Sequence, residues 1–144
     1  MAVMSSGRVG DQVALISVLY EFQQPVCITL DYYLQESRPG TSGTLSVYLL
    51  TKQHVPIRLS FGKMSLVWSD IGDIGDWKHR CVHIPSGTYH VMFLATLGLP
   101  YNSDIYLDNI QFRPEYLCSG NDIMPTGNFI LLLTSRMNYF VTDA

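Results

Sequence analysis

Apolar and polar residues alternate through most of the chain. Between residues 28 and 35, Ile28, Leu30, Tyr32 and Leu34 occupy every second position, which is typical of a strand with one buried face. Similar runs lie at 12–20, 45–50, 55–60, 64–69, 77–84, 89–96 and 104–113. Turn clusters rich in glycine and proline separate these runs. About eight short strands at this spacing, without a helical period, predict an all-β sandwich or barrel.

The last of these strands changes phase along its length. Ile105 and Leu107 share one face, whereas Ile110 and Phe112 have the opposite parity. A β-bulge at residues 108–109 would return both pairs to the core, because an extra residue shifts the alternation by one position. The asparagine in this pair adopts unusual backbone angles more readily than most residues. The alternative is a strand that buries parts of both faces.

Composition limits the class of protein. A length of 144 residues predicts one domain. Hydrophobic residues make up 47% of the chain and charged residues only 15%, which argues against disorder. The net charge is -3 and no basic run is present. The sequence therefore lacks the clustered Lys/Arg face that nucleic-acid binding normally needs. The sequence shows neither a secretory signal peptide nor an apolar run of about 20 residues. Taken alone, this would favour a cytosolic location.

The sequence contains three cysteines, Cys27, Cys81 and Cys118, and an odd number leaves one without an intrachain partner. A bridge between the first and the last would close a loop of about 90 residues, worth about 4–5 kcal/mol in chain-entropy models. All three could instead be reduced, buried thiols. Cys81 has the opposite parity from Val82 and Ile84, so we expect it to face outward. In an oxidising compartment an outward thiol invites an intermolecular disulfide.

Two groups of residues resemble metal sites in composition. His79, Cys81 and His83 alternate on one strand and would share a face, and all three are zinc-ligand types. However, they span about 13 Å, too far for all three to bind one ion. Residues 70–76 place three aspartates in a glycine-rich loop, but their spacing does not match an EF-hand. We expect solvated polar residues in the first case and a turn in the second.

No sequence motif points to catalysis. The chain has no Gly-x-Ser-x-Gly elbow, phosphate-binding glycine loop or His-Glu-x-x-His pair, so we do not expect an enzyme. Several tyrosines could stack on sugars, namely Tyr32, Tyr33, Tyr89, Tyr101 and Tyr106. Aromatic residues at strand positions are more often part of a core or an interface.

The order of motifs along the chain is similar to that of the MAM family, extracellular adhesion modules found in meprins, neuropilins and receptor-type tyrosine phosphatases. The match extends through residues 10–118 in unbroken order. The corresponding positions are Ala14 to Ser17, Cys27 to Tyr33, Gly43 to Val47, Trp68, Gly72 and Gly75 before Trp77, Tyr89 to Phe93, Asp104 to Ile110, and Cys118.

The resemblance implies a jelly-roll β-sandwich of two antiparallel sheets, similar to concanavalin. The domain would occupy residues 1–118, and 119–144 would be a tail or the start of a following segment. Members of the family begin with a further stretch that carries a cysteine pair. We therefore expect a sandwich that is incomplete at its N-terminus, from a truncated product or a fragment of a larger protein.

The resemblance also implies roles for individual residues. Cys27 and Cys118 correspond to a family disulfide, which leaves Cys81 as the thiol for an intermolecular bond. Asp108 matches an acidic position that lies near a structural cation, calcium or sodium, in some members. Asn109 stands where a second acidic residue is often found, which weakens that inference. No other cofactor is expected.

By resemblance, the chain is a non-catalytic extracellular module for protein interaction and cell adhesion within a larger secreted or membrane-anchored protein. Its partner would be a protein, bound homophilically or heterophilically, and a homodimer through Cys81 is one form of this. Contact with a membrane would come only through the parent protein. The alternative is a carbohydrate-binding jelly roll that uses surface aromatic residues. An intracellular metal-dependent enzyme using His79, Cys81 and His83 is the least favoured reading.

Overall fold

The structure, a computed structural model, describes residues 2–4, 10–34, 43–51, 64–71, 76–98, 104–118, 129–132 and 137–138. These residues form eleven strands and one 3-10 helix. The strands are β1 (Ala2–Met4), β2 (Gln12–Ser17), β3 (Tyr20–Phe22), β4 (Val26–Leu34), β5 (Thr44–Leu50), β6 (Met64–Ile71), β7 (Lys78–Ile84), β8 (Gly87–Thr96), β9 (Ile105–Pro114), β10 (Phe129–Leu132) and β11 (Met137–Asn138). The 3-10 helix is Glu115–Leu117. No helix within these ranges has the length and apolarity needed to cross a membrane.

The strands form two sheets. One has four strands in the order β1-β9-β4-β7, and all of its pairs are antiparallel. The other has seven strands, with the order β10-β2-β8-β5-β6, and with β3 paired to β8 and β11 paired to β2. In the described residues, the pair β11–β2 is parallel and the other pairs are antiparallel. This confirms the prediction of an all-β, jelly-roll-type sandwich of two antiparallel sheets.

The main core lies between the two sheets. On β4 the alternating residues Ile28, Leu30 and Tyr32 are fully buried on the inner face, as the period of two predicts. They pack against inner-face residues of the seven-stranded sheet, which are Leu45, Val47, Leu49, Val91, Phe93 and Ala95. Burying an aliphatic or aromatic side chain of this size stabilises a fold by about 1.5–3 kcal/mol. The alternation therefore fixes which face of each strand points inward.

A second apolar cluster lies on the opposite face of the seven-stranded sheet. It consists of Ala14, Ile16, Leu50, Met92 and Leu94, all less than one tenth exposed. As a result, β8 is buried on both faces from residue 91 to residue 95. The outer face of the four-stranded sheet differs, because polar and aromatic side chains dominate there. It is this face that carries the candidate site.

The predicted β-bulge is present, at residues 109–110 rather than 108–109. Asn109 and Ile110 of β9 lie opposite the single residue Leu30 of β4, where the pairing register shifts. Asn109 has φ +52°, in the left-handed region that asparagine tolerates better than most residues. Consequently Ile105 before the bulge and Phe112 after it both reach the core. The bulge also turns the side chain of Asn109 toward the outer face.

The segment after residue 118 contributes to the sheet in its described part. β10 runs antiparallel to β2, and β11 runs parallel to β2. Residues 119–144 were expected to be a tail or the start of a following segment. Their described strands, β10 and β11, pair with β2, and the assignment of this segment as a tail or a following segment stays a prediction. The strand expected at 55–60 lies outside the described residues.

Candidate functional site

The outer face of the four-stranded sheet carries three adjacent groups of side chains. On β4 they follow the residues that alternate with the core positions: Tyr33 at one end, Asp31 in the middle and Cys27 at the other end. Neighbouring residues of β7 and β9 extend each group across the sheet. The strand period thus places aromatic, polar and thiol groups on one surface.

The aromatic patch consists of Tyr33, Trp77 and Tyr106. Tyr33 and Tyr106 are register partners on β4 and β9, and their ring centroids lie 5.8 Å apart. The Trp77 ring lies 6.1 Å from Tyr33 and 6.3 Å from Tyr106, and is tilted against both. Trp77 directly precedes β7 and is 51% exposed. Half of a large indole surface is therefore available for contact.

A polar row crosses the three strands next to the patch. His79 Nδ1 donates to Asp31 Oδ1 at 2.6 Å, and Asn109 Nδ2 donates to Asp31 Oδ2 at 3.0 Å. Gln111 Nε2 then donates to Asn109 Oδ1 at 2.7 Å, and Arg113 Nη2 donates to Gln111 Oε1 at 3.0 Å. A connected series of this kind holds its members in fixed orientations. The row presents a preorganised polar surface.

The cysteine cluster lies at the other end of the face. Cys81 and Cys118 form a disulfide with a Cα–Cα distance of 6.3 Å, while Cys27 is a buried free thiol. All three sulfurs lie within 4.8 Å of one another. Cys118 directly follows the 3-10 helix, so the bond fastens this helix over the sheet. Burial raises the pKa of the Cys27 thiol, Arg113 opposes this, and Glu115 adds to it.

This pairing differs from the expected bond between Cys27 and Cys118. The parity argument for Cys81 holds, because Val82 and Ile84 are in the core and Cys81 is on the outer face. Cys81 is nevertheless half-buried and bonded within the chain rather than an exposed thiol. The physical reason is the 3-10 helix, which returns over this face and places the last cysteine beside both others. Strand periodicity carries no information about that return.

The two histidines beside Cys81 have separate partners. His79 donates to Asp31, and His83 Nδ1 donates to Glu115 Oε1 at 3.2 Å. These contacts agree with the expectation that residues 79, 81 and 83 do not converge on one ion. In the part of the chain that the structure describes, the set of three converging metal-ligand types is the cysteine cluster itself.

The cation expected near Asp108 stays a prediction. Asp108 lies at the bulge, opposite Asp31 in register, and its Oδ1 accepts the backbone N–H of Asn109 at 2.9 Å. In the aspartate-rich loop, Asp70 accepts hydrogen bonds from the Tyr32 hydroxyl at 2.6 Å and from Lys78 Nζ at 3.3 Å. Residues 72–75 of that loop lie outside the described part.

The tyrosines considered for sugar stacking occupy different environments. Tyr32 is fully buried, and half-buried Tyr89 donates its hydroxyl to the Ser86 carbonyl at 2.8 Å. Tyr101 lies outside the described residues. Tyr33 and Tyr106 lie on the surface, where they meet Trp77. Trp77 was not predicted to be part of this patch, although its parity, opposite to that of the core residues Val82 and Ile84, is a signal for the outer face.

A groove of about 400 Å³ opens beside the cysteine cluster, at the end of the sandwich. It lies between the β3–β4 turn and the 3-10 helix, and is lined by residues 21–26 and 114–116. Tyr116 at this groove is 80% exposed. The 3-10 helix therefore borders both the groove and the disulfide.

The motifs and the fold agree with a comparison against known protein families. The family model for the MAM domain, meprin/A5/mu, matches residues 1–119. This span contains β1 to β9, the 3-10 helix and all three cysteines. Domains of this family are in general extracellular, adhesion-type modules without catalytic activity. The chain belongs to the MAM family.

Proposed function

We propose that this chain is a protein-binding adhesion or oligomerisation module of a larger secreted or membrane-anchored protein. Its contact surface is the outer face of the four-stranded sheet, centred on the aromatic patch. The observation that carries this proposal is the 51% exposure of Trp77 between Tyr33 and Tyr106. Any enzyme activity would belong to other domains of the parent protein.

The chemistry of this face suits a protein partner. Tryptophan and tyrosine are enriched at the energetic centres of protein interfaces, because they contribute a large area together with a hydrogen-bonding group. The polar row beside the patch is already ordered by its own hydrogen bonds. Fixing these side chains on binding therefore costs little conformational entropy. An aromatic centre bordered by an ordered polar row has the composition of a specific interface.

The test measures how a fluorescently labelled, multivalent form of the protein binds to cells that the wild-type protein binds. We expect Trp77→Ala to weaken binding by about tenfold or more, as for a residue at the centre of an interface. The matched control is Leu66→Ala, which removes an exposed apolar side chain, 56% accessible, from β6 of the other sheet. It should leave binding within about twofold. Beads coated with the chain would show by their aggregation whether the partner is a second copy.

Two results would contradict the proposal. One is a Trp77→Ala chain that binds as well as the wild type. The other is binding that survives protease treatment of the cells but is lost after glycosidase treatment, together with glycan-array signals that depend on Trp77. The second result would favour the carbohydrate-binding alternative.

The rings of the patch are tilted by 44° to 69° against one another, which is poorly suited to a flat sugar-stacking platform.

A further inference from the structure

The cysteine cluster holds a free thiol next to a disulfide. Cys27 lies on β4, Cys81 on the neighbouring strand β7, and Cys118 on the segment that folds over them. Their three sulfurs lie within 4.8 Å of one another. A thiolate in such a position can attack a disulfide sulfur and form a new bond with it. This feature is independent of the aromatic patch and of the function proposed for it.

The sheet register decides which new bond can form. Cys27 pairs with His83 and Cys81 pairs with Thr29, so the two cysteines are diagonal neighbours across β4 and β7. Diagonal positions on antiparallel strands have Cα atoms about 7–8 Å apart. Disulfides need a Cα–Cα distance of about 4.4–6.8 Å. A bond between Cys27 and Cys81 would therefore require the strands to move, whereas Cys118 comes from outside the sheet and can face either of them.

We propose that the cluster is a disulfide-exchange site with two isomers, one with Cys81 bonded to Cys118 and the other with Cys27 bonded to Cys118. The Cys27 thiolate attacks Sγ of Cys118, the bond between Cys118 and Cys81 breaks, and its electron pair leaves on Cys81. Cys81 then takes up a proton equivalent to the one that Cys27 lost. One S–S bond breaks and one forms, so the exchange consumes no oxidant or reductant.

The two isomers expose different chemistry. In the observed isomer the free thiol, Cys27, is fully buried. In the second isomer the free thiol is Cys81, on the half-buried outer face beside two exposed histidines. Exchange therefore moves the reactive thiol from the interior to a surface position without detaching the 3-10 helix. The Cys81 thiolate can then attack a disulfide of a second molecule, which forms a mixed disulfide and releases the other sulfur of that disulfide as a thiolate.

The charged and titratable groups around Cys27 set the rate of this exchange. Arg113 is its register partner on β9, His83 is its register partner on β7, and Glu115 of the 3-10 helix acts on it electrostatically. Because the thiolate is the attacking species, the rate should rise about tenfold for each pH unit below the pKa of the thiol. Burial keeps that pKa raised, so exchange is slow under mildly acidic conditions.

The experiment follows the free thiol by peptide mapping. Digestion before aspartate separates the three cysteines, because Cys27 falls in 11–30, Cys81 in 76–103 and Cys118 in 108–121. Oxidised chain is held at about pH 6 or about pH 8.5, quenched with acid and labelled with N-ethylmaleimide in denaturant under conditions that stop exchange. We expect a single label per chain that moves from the first peptide to the second, faster at the higher pH. The disulfide-linked peptides should change from the pair that contains Cys81 and Cys118 to the pair that contains Cys27 and Cys118.

Two variants test the direction of attack. Cys27→Ser should abolish labelling of Cys81, and Cys81→Ser should form the bond between Cys27 and Cys118. The proposal is overturned by a label that stays on Cys27 at every pH and time, by a label on Cys118, or by a rate that rises with protein concentration. Because the labelling of wild-type chain alone decides among these results, the test stands even if a variant fails to fold.

Discussion

Tyr32 joins the core to the surface through one hydroxyl group. Its ring is fully buried and packs edge-on against Trp68, with ring centroids 5.3 Å apart. Its hydroxyl donates to Asp70 Oδ2, which Lys78 also approaches at 3.3 Å. Burial, and next the hydrogen bond to Asp70, raise the pKa of Tyr32 from 10.0 to about 12. The folded state therefore favours the protonated phenol.

This shift predicts a pH dependence that Tyr32→Phe should remove. Because the pKa is raised on folding, the stabilisation is complete below about pH 10 and is lost as the pH rises toward about 12. At about pH 8 the variant should be less stable by about 1.5–3 kcal/mol, as for a hydrogen bond to a charged group. The difference should narrow above pH 10 in denaturant unfolding experiments. Tyr116→Phe is the control, since Tyr116 is 80% exposed; an unchanged difference at high pH would contradict the assignment.

The bulge in β9 is the irregular element on which the candidate site depends. It holds Asn109 at φ +52° and lets its amide bond both Asp31 and Gln111 on the outer face. Alanine and glycine at this position both lose those hydrogen bonds, so a comparison of the two isolates the backbone angle. A residue with a Cβ atom in the left-handed region costs about 1–2 kcal/mol, partly offset by the greater chain entropy of unfolded glycine.

We therefore predict that Asn109→Gly is more stable than Asn109→Ala by about 0.5–1 kcal/mol, measured by denaturant unfolding. The matched pair is Thr88→Gly and Thr88→Ala, at an exposed position of β8 with ordinary strand backbone. There the order should reverse, because glycine weakens a regular strand. If the glycine and alanine variants ranked in the same order of stability at both positions, the bulge would not impose the left-handed angle.

The sequence predicted this element because two apolar pairs of opposite parity could reach one core only if a residue was inserted between them. Plain alternation predicted the inner face of β4, where Ile28, Leu30 and Tyr32 are buried. Trp77 has the opposite parity from Val82 and Ile84, which indicates the outer face, but parity does not specify that Tyr33 and Tyr106 lie beside it. The pairing of β10 and β11 with β2 was equally inaccessible, because an apolar run alone does not specify its neighbour.

The disulfide joins β7 of the four-stranded sheet to the end of the 3-10 helix, and its pairing was the part of the site that local patterns could not supply. Parity placed Cys81 on the outer face, but its partner depends on where the chain goes after β9. The 3-10 helix brings Cys118 to a point from which it reaches both of the other cysteines. In either isomer, Cys118 is the residue that holds this segment against the sheet.

Cys118→Ser should therefore destabilise the fold more than Cys81→Ser does. The bond to Cys81 closes a loop with a sequence separation of 37 residues. The chain-entropy relation assigns about 4 kcal/mol to a loop of this length, and a similar or larger value to the longer loop that Cys27 would close. Because Cys81→Ser still permits the bond between Cys27 and Cys118, it should keep most of the wild-type stability, whereas Cys118→Ser permits neither bond to the helix.

Denaturant unfolding in oxidising buffer measures both differences. Adding reductant is the control, since it should bring the wild type and both variants to similar unfolding midpoints. A Cys118→Ser chain as stable as oxidised wild type would show that fastening the 3-10 helix does not stabilise the sandwich.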